Sequence, residues 1–349
     1  MSTEPLIRVA ILGASGYTGA EAIRLLSRHP RVRIVALTGD RRAGDLASDV
    51  FGHFAVLDLP RLISIKDIVW TDIDAAFLCL PHATTQEVAL SVPEHVRLID
   101  ISADFRLEQP QLYQKWYAHE HQAPGLQAGA VYALTEFARE RLAKARIAAC
   151  PGCYPTTTLL PLIPLVEEKL ISLEDIIVDA KSGVSGAGRS EKQANLHTEV
   201  AEGLHAYGVG HHRHMAELDQ ELSKAAGRPV TATFTPHLMP MNRGMLATIY
   251  VRGINGHNAA RLHAQLSTRF AKEPFVHVLP FGQTPQTRHV RGSNHCFIGV
   301  AQDRLPERAI IVSVLDNLVK GATGQGVQNF NIMFGLPETM GLEQLPLFP

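Results

Sequence analysis

The sequence has few cysteines, almost no net charge and no long apolar segment, and each shortage excludes a class of protein. Four cysteines among 349 residues are too few for a disulfide framework, so a reducing compartment is expected. The formal net charge is −1, whereas a protein that mainly binds nucleic acid carries a basic surface. No apolar run reaches the roughly 18 residues that a membrane span needs.

What remains is the composition of a large folded protein. Hydrophobic residues make up 46% of the chain and charged residues 19%, which suits a substantial buried core. The length accommodates about two domains, and there are no internal repeats. Because Met1–Leu6 has no basic segment before an apolar stretch, no signal peptide is predicted. We therefore expect a cytoplasmic protein.

The N-terminal third predicts a doubly wound α/β domain with a parallel sheet. Ile7–Leu12 is an apolar run of the kind found in strands buried on both faces, and a glycine-rich turn and a helix over Ala20–Arg28 follow it. Further predicted strands are Arg33–Thr38, Ala75–Leu80 and Val96–Ile101, and Thr84–Ser91 is a predicted helix. Such alternation is typical of a Rossmann sheet.

The pattern changes after Cys153, and a second α+β domain with an open mixed sheet is predicted. Its predicted strands are Ile176–Ala180, Val230–Thr235, Met245–Val251 and Phe275–Leu279, and its predicted helices are Thr156–Lys169, His214–Ala226 and Ala259–Lys272. A last helical stretch, Asp316–Phe334, is expected to cross back. The predicted domains are therefore 1–152, with 316–349 returning to it, and 153–315.

The turn after the first strand predicts a dinucleotide site. Gly13, Gly16 and Gly19 have the spacing G-x-x-G-x-x-G between a strand and a helix. Glycine lets the loop turn sharply and lets backbone N–H groups approach a pyrophosphate at the helix N-terminus. The residues predicted to bind the cofactor here are Gly13, Ser15, Gly16, Tyr17, Thr18 and Gly19. The alternative is a simple glycine-rich turn.

The end of the second predicted strand favours NADP over NAD. An NAD site usually places an acidic residue there to bind the ribose hydroxyls, and Asp40 is available for that role. However, Arg41 and Arg42 follow directly, and guanidinium groups suit a 2′-phosphate. We therefore predict that both arginines bind NADP, the alternative being a solvated loop.

Cys153 is the predicted nucleophile. It stands at a strand-to-helix junction, where the helix dipole and nearby N–H groups favour a thiolate and can stabilise an oxyanion. Cys150 lies three residues earlier, so a dithiol redox pair is one alternative and a buried structural cysteine is another. The position in mid-chain, after a dinucleotide loop, favours the nucleophile.

Three other segments carry candidate site residues. His212, Arg213 and His214 lie in a histidine cluster that lacks the carboxylate or cysteine spacing of a metal site, so no metal is predicted. A catalytic histidine suits thiol chemistry, and Arg213 can hold an anionic substrate. Ser182–Arg189 is a glycine- and serine-rich loop that either approaches a ligand or is merely flexible. Arg106 either binds phosphate or carboxylate, or forms a surface ion pair with Asp104.

Together these motifs resemble the N-acetyl-gamma-glutamyl-phosphate reductase family of arginine biosynthesis over nearly the whole chain. The segments that carry the resemblance are Gly13–Gly19, Ala103–Arg106, Pro151–Thr156, Ser182–Arg189, His212–His214 and Asp316–Leu318. The glycine loop is widely shared, whereas the Pro-Gly-Cys-Tyr-Pro-Thr block followed by the Ser-Gly loop and His-Arg-His is far more specific. Met215-Ala216 departs from the Thr-Pro often found in the family, which alters only a helix start.

The resemblance implies a Rossmann domain, an α+β domain like that of aspartate-semialdehyde dehydrogenase, NADPH as hydride donor and a homo-oligomer. It carries the nucleophile onto Cys153 and the acid/base role onto His212. The other implied site residues are Ser182, Gly183, Gly186 and Asn317 for the cofactor, and Arg106, Ser185 and Arg213 for the substrate. The expected reaction reduces N-acetylglutamyl phosphate to the semialdehyde. Sister reductases of aspartyl or carrier-linked aminoadipyl phosphate, and a non-catalytic NADP-binding redox sensor, remain alternatives.

Overall fold

A computed structural model describes residues 5–348, and the chain divides into two compact units. The first spans Met1–Pro151 and Ala322–Glu343, and the second spans Gly152–Gly321 and Gln344–Pro349. The prediction that no signal peptide is present concerns Met1–Leu6, of which residues 1–4 lie outside the described part. No helix within residues 5–348 is long and apolar enough to cross a membrane.

The first unit has a seven-stranded sheet in which every neighbouring pair is parallel. Its strands are β1 (Ile7–Leu12), β2 (Val32–Thr38), β3 (Leu62–Ile63), β4 (Ala75–Leu78), β5 (Arg97–Asp100), β6 (Ala130–Tyr132) and β7 (Ile147–Ala149). Its first helices are α1 (Tyr17–Leu26), α2 (Ala47–Val50), α3 (Thr85–Ser91), α4 (Pro110–Tyr117), α5 (Pro124–Gln127) and α6 (Thr135–Leu142). The order β3-β2-β1-β4-β5-β7-β6 confirms the predicted doubly wound sheet.

The second unit is α+β with a mixed seven-stranded sheet, as predicted. Its helices are α7 (Cys153–Glu167), α8 (His197–Val200), α9 (His214–Ala226) and α10 (Ala259–Phe270). Its strands are β8 (Ile177–Gly183), β9 (His205–Ala206), β10 (Thr233–Met239), β11 (Met245–Arg252), β12 (Val276–Val278), β13 (Cys296–Gln302) and β14 (Arg308–Leu315). The order is β12-β13-β14-β11-β8-β10-β9. Only the β8–β10 and β12–β13 pairs are parallel.

Short turns of other helix types complete the architecture. The 3-10 turns are Asp40–Arg42, Gly52–Val56, Ile65–Asp67, Trp70–Asp72, Val184–Ala187, Gln193–Asn195 and Thr287–His289. A π-helical turn over Val319–Thr323 leads into α11 (Gly324–Met333). The predicted helix over Asp316–Phe334 therefore starts too early. Asp316 Oδ1 accepts the N–H groups of Leu318 (2.9 Å) and Val319 (3.2 Å), so this residue caps the turn instead of joining it.

Helix α11 completes the core of the first unit. A Cβ at Gly326 would lie 2.6 Å from the Cδ1 atom of Ile101, so a larger residue here would have to displace that side chain. Asn329 Nδ2 donates to the carbonyl of Ala133 at 2.9 Å, and Thr135 Oγ1 donates to Asn329 Oδ1 at 2.7 Å. Because these polar groups are buried and mutually satisfied, they fix the orientation of α11.

Candidate active site

Cys153 is the first residue of α7. The residue before it, Gly152, has extended backbone angles and caps the helix, and Thr156 N–H closes the first turn on the Gly152 carbonyl at 2.9 Å. First-turn N–H groups have no acceptor within their helix, and Pro155 contributes no N–H. The first-turn N–H groups of α7 are therefore those of Cys153 and Tyr154, beside the thiol.

A fully buried carboxylate holds the start of this helix. Glu217 of α9 has no exposed surface, and its Oε2 accepts the Gly152 N–H at 2.9 Å. Its Oε1 lies 3.8 Å from His214 Nε2. A Cβ at Gly152 would collide with the His214 ring, and a Cβ at Gly321 would lie 2.8 Å from Cys153 Cβ. Cys153 is therefore packed against Gly321, and Gly152, the residue before it, lies against an imidazole–carboxylate pair.

Glu217 is absent from the residues predicted from the sequence, and the resemblance assigned the acid/base role to His212 and no role to His214. His214 and Glu217 are three residues apart on one helix, a spacing that places side chains side by side. That spacing in the predicted helix over His214–Ala226 was the available signal. Arg213, predicted to bind substrate, is exposed at the N-terminus of α9.

His212 occupies an aromatic cluster. Its ring makes edge contacts with Tyr154, Tyr207 and Phe234 at centroid distances of 5.7, 5.4 and 5.5 Å. Its Nδ1 accepts the backbone N–H of His214 at 3.2 Å. Burial, with the charge of Arg213 adding to it, lowers the pKa of His212 to about 4. His212 is therefore neutral at pH 7, and its proton is on Nε2.

Two tyrosine hydroxyls form a short chain beside this cluster. Tyr207 donates to the hydroxyl of Tyr154 at 3.2 Å, and Tyr154 donates to the carbonyl of His237 at 3.2 Å. Burial raises the pKa of both phenols, that of Tyr207 to about 12. Both hydroxyls therefore stay protonated near neutral pH.

The predicted Ser-Gly loop and Asn317 lie together in the second unit. Asn317 Nδ2 donates to Ser185 Oγ at 2.8 Å, and its Oδ1 accepts the Gly244 N–H at 3.0 Å. Ser185 Oγ in turn donates to the Asn242 carbonyl at 2.6 Å. Both polar ends of the Asn317 amide are thus occupied by protein groups, which makes it a brace between two loops.

Glycines in this loop leave room for close backbone contacts. A Cβ at Gly183 would lie 2.7 Å from the Asn242 carbonyl oxygen, so this position requires glycine. A Cβ at Gly186 would lie 3.0 Å from Ser182 Oγ. Ser182 Oγ itself donates to the Gly183 carbonyl at 3.0 Å.

The glycine loop of the first unit has the form expected of a pyrophosphate cradle. Gly13 has φ +80°, and a Cβ there would collide with the Cys79 carbonyl, so glycine is required. A Cβ at Gly19 would collide with the Gly13 carbonyl, whereas one at Gly16 would meet only that carbonyl oxygen, at 3.5 Å. Gly16 therefore leaves open space before the N–H groups of Tyr17 and Thr18, which begin α1.

The two predicted phosphate-binding arginines differ in their surroundings. Arg42 Nε pairs with Asp45 at 2.9 Å, and Arg42 Nη2 donates to the Asp49 carbonyl at 3.4 Å. Arg41 is exposed and has no hydrogen-bond or ion-pair partner among residues 5–348.

Arg106 is buried and bonds backbone carbonyls. Its Nε donates to the Cys150 carbonyl at 2.8 Å, and its Nη2 donates to the Ile101 carbonyl at 3.3 Å. Asp104 is fully buried and accepts from Ala83 N–H and from the Tyr113 hydroxyl. The alternative of a surface ion pair between Arg106 and Asp104 is therefore wrong, because both side chains are buried.

The state of the cysteines and the arrangement of possible metal ligands also bear on the chemistry of the site. All four cysteines are free, with Cys153 partly exposed and the others buried. Within the described part of the chain, no three histidine, cysteine or acidic side chains are arranged to bind a metal ion.

Two family models match the chain. A semialdehyde dehydrogenase NAD binding domain matches residues 8–145, and a semialdehyde dehydrogenase dimerisation domain matches residues 153–317. Among solved structures, aspartate semialdehyde dehydrogenase II of Vibrio cholerae, complexed with ASA, has a TM-score of 0.71 at 18% identity. It covers 95% of this chain and 99% of that one. The Candida albicans enzyme with NADP gives 0.67 at 18% identity, covering 94% and 98%. At these identities the structures establish the fold.

Curated relatives are much closer in sequence. The N-acetyl-gamma-glutamyl-phosphate reductase of Afipia carboxidovorans is 61% identical over 342 residues, which is 97% of each chain. That of Rhodospirillum rubrum is 57% identical, covering 98% of this chain and 99% of its own. A probable chloroplastic reductase of the same name from Oryza sativa subsp. japonica is 54% identical, covering 98% and 83%.

Proposed function

The chain belongs to the N-acetyl-gamma-glutamyl-phosphate reductase family, and from that premise we propose that it makes a thioester on Cys153. It reduces N-acetyl-L-glutamyl 5-phosphate to N-acetyl-L-glutamate 5-semialdehyde and releases inorganic phosphate, with NADPH as reductant, the third step of arginine biosynthesis. The observation that carries the thioester is the position of Cys153 as the first residue of α7, with its helix start fixed by Glu217.

The first half-reaction transfers the acyl group to the thiol. The Cys153 thiolate attacks the carbonyl carbon, and a C–S bond forms while the oxyanion is stabilised by the N–H groups of Cys153 and Tyr154. The intermediate collapses, the C–O bond to phosphate breaks, and phosphate leaves with the electron pair. The thioester that remains is electrophilic enough to accept hydride, and the phosphate has already left.

The glycine loop fits NADP(H), because Gly16 leaves open space in front of the α1 N-terminus. There Gly13, Ser15, Gly16, Tyr17, Thr18 and Gly19 would hold the pyrophosphate, and Arg41 and Arg42 would hold the 2′-phosphate. The family resemblance assigns Ser182, Gly183, Gly186 and Asn317 to cofactor binding as well. When bound there, NADPH would supply the hydride that reduces the thioester carbonyl. When the second tetrahedral intermediate collapses, the C–S bond breaks, the aldehyde leaves and the thiolate regains a proton.

Two imidazoles compete for the acid/base role. Family resemblance assigns it to His212, whose ring is neutral at pH 7. However, the Nδ1 lone pair of His212 already accepts a backbone N–H, so its Nε2 carries a proton and can accept none in this tautomer. His214 lies against Gly152 and pairs with the Glu217 carboxylate. This observation favours His214 as the second candidate. Separate His212→Asn and His214→Asn variants decide between them, since only loss of the true base lowers kcat.

The substrate is an anion at both ends, and three residues are proposed to recognise it. Arg213 is exposed at the start of α9, between the two candidate bases in the sequence, and can pair with a carboxylate or phosphate. Ser185 presents a hydroxyl that Asn317 orients. Arg106 stays a candidate ligand, although its guanidinium also braces the Cys150 carbonyl.

A second copy of the chain is the proposed partner. Along β11 and β14, buried residues alternate with half-exposed ones, so one face of the second-unit sheet is buried and the other is partly exposed. The partly exposed face carries an apolar patch that includes Tyr250 of β11 and Ile310 of β14, which are direct cross-strand partners, and Ile177 of β8, 43% exposed. An exposed apolar patch indicates an interface, and the family model over 153–317 is a dimerisation domain. Sedimentation of Tyr250→Arg, expected to be monomeric, tests this. We also propose a cytoplasmic location, which the four free thiols support.

The reverse reaction tests the proposed activity. Protein, NADP+, inorganic phosphate and N-acetylglutamate semialdehyde are mixed, and NADPH absorbance is followed with and without phosphate. We expect NADPH formation that depends on phosphate and is absent with aspartate semialdehyde. Turnover with aspartate or carrier-linked aminoadipate semialdehyde would instead indicate a sister reductase. Absence of turnover from protein that binds NADP+ would favour a redox sensor, which requires Cys150 as well as Cys153.

A further inference from the structure

The loop after β2 holds an acidic residue away from its usual role in cofactor binding. Asp40 follows the strand by two positions, where an NAD-dependent Rossmann domain offers a carboxylate to the ribose hydroxyls. In this chain Asp40 Oδ1 accepts a hydrogen bond from Ser64 Oγ at 3.2 Å and another from the Ile65 N–H at 3.1 Å. Both donors belong to the segment that directly follows β3, so the carboxylate is bonded to the protein.

The neighbouring charges leave one cation without an acidic partner. Arg42 is paired with Asp45, its i+3 neighbour, whereas Arg41 has no ion-pair partner within residues 5–348. The Ser15 hydroxyl of the glycine loop lies 3.4 Å from the position that a Gly39 Cβ would take. Ser15, Gly39 and Arg41 therefore lie together at the end of β2, next to the glycine loop.

We propose that Ser64 is a specificity-determining residue, which acts by binding Asp40 and so leaves the Arg41 side of the loop to a 2′-phosphate. The inference rests on the proposed NADP site. A released carboxylate would repel the dianionic phosphate and attract a ribose diol, because like charges within a few ångströms disfavour each other. Ser64 thus selects against NAD without contacting the cofactor, through the hydrogen bond that it donates.

The test measures cofactor preference in the full-length protein. Isothermal titration calorimetry gives Kd for NADP+ and for NAD+, and initial rates give kcat/KM for both. We expect Ser64→Ala to lower the NADP/NAD preference roughly three- to tenfold, since one of two bonds to a charged group is lost. Ser64→Thr, which keeps the hydroxyl, is the matched control and should stay within about twofold of the parent. Melting curves check that each variant folds.

A double-mutant cycle shows whether Ser64 acts through Asp40. Asp40→Asn keeps an oxygen acceptor but removes the charge, so it should preserve the preference for NADP. In that background Ser64→Ala should change the preference by less than about twofold, because the two residues form one interaction. An unchanged preference in Ser64→Ala, or an equal loss with and without Asp40, would overturn the proposal. A large loss of NADP+ binding in Asp40→Ala would also overturn the proposal. That measurement remains available if Ser64→Ala fails to fold.

Variants of the two arginines provide an independent test. Arg41→Ala should weaken NADP+ binding at least about tenfold with little effect on NAD+, and Arg42→Ala should have a smaller effect because Arg42 is already paired. If both single variants lose NADP+ affinity equally, the assignment of Arg41 as the main phosphate-binding arginine is incorrect. Calorimetry requires no acyl phosphate, so a protein that prefers NADP+ in this way but turns over no semialdehyde would uphold the inference and refute the proposed activity.

Discussion

Glu217→Gln removes one charge beside His214 and next to the proposed nucleophile's helix start, and it leaves the local geometry in place. The carboxylate is fully buried and accepts the N–H group of Gly152, and a glutamine side-chain oxygen can accept the same bond. What disappears is the negative charge 3.8 Å from His214 Nε2. If His214 takes up the thiol proton, this charge stabilises the imidazolium that forms.

The distance sets the size of the effect. Two unit charges at this separation interact by about 4 kcal/mol at an effective dielectric constant of 20. Solvent access and relaxation reduce that value, so we expect kcat to fall by roughly two to three orders of magnitude. The melting temperature should move by less than about 5 °C, because the hydrogen bond to Gly152 is retained.

Two assays separate charge from structure. Steady-state turnover gives kcat, and the rate at which iodoacetamide alkylates Cys153 as a function of pH reports the thiolate directly. Both rates should fall in Glu217→Gln. Glu217→Ala should also lose roughly 1–3 kcal/mol of folding free energy, because the buried Gly152 N–H then lacks its acceptor.

Glu221→Gln is the matched control, because Glu221 lies one turn along α9 and pairs with Lys224 at 2.6 Å, so kcat should stay within about twofold. If Glu217→Gln keeps more than about a tenth of the parental kcat, the His214–Glu217 pair has no part in proton transfer. The role would then return to His212.

Three further predictions concern Cys153, Gly13 and His295. Cys153→Ser should lower kcat by at least about three orders of magnitude and leave the Kd for NADP+ within about twofold, since the serine hydroxyl stays protonated. Steady-state kinetics measures kcat, and calorimetry measures Kd. Gly13→Ala should weaken NADP+ binding and lower the melting temperature, because of φ +80° and the Cys79 carbonyl. Burial holds the pKa of His295 at about 4. The unfolded chain therefore binds a proton that the native protein does not, so His295 lowers stability as the pH falls from about 6.5 to about 4, by roughly 1–2 kcal/mol after solvent screening; His295→Gln should make this fall smaller in melting curves.

The fold was predictable where local pattern and burial agree. The strand Ile7–Leu12 and the helix His214–Ala226 have the predicted bounds, because no proline interrupts either segment. Strand β10 was predicted to end before Pro236 but continues to Met239. Pro236 is tolerated there because the N–H that it lacks would face β9, and β9 is only two residues long.

Several strands were not predicted, among them β13 and β14. These two carry β-branched and apolar runs, but β14 takes its place in the sheet by pairing with β11, far earlier in the chain, and β13 by pairing with β14. Such pairing is a tertiary property.

The candidate site was predictable as motifs but not as partners. The sequence indicates Cys153 and the glycine loop, because each needs only a strand-to-helix junction. It treats Arg41 and Arg42 as equivalent, and only the pairing of Arg42 with Asp45 separates them. Likewise the adjacent imidazoles of His212 and His214 differ through a backbone hydrogen bond and a buried carboxylate, which the local sequence alone does not reveal.

The closing of the first unit by α11 bears on how the protein is made. Ribosomes release the chain from its N-terminus, and the sheet β1 to β7 is complete in sequence by Ala149, yet the helix that packs on Ile101 and bonds Ala133 comes after residue 323. The first unit therefore exposes apolar surface until synthesis has passed Met333, the end of α11. A message truncated before α11 would yield a protein with an unfinished core, and chaperone binding to the nascent chain should persist until α11 emerges.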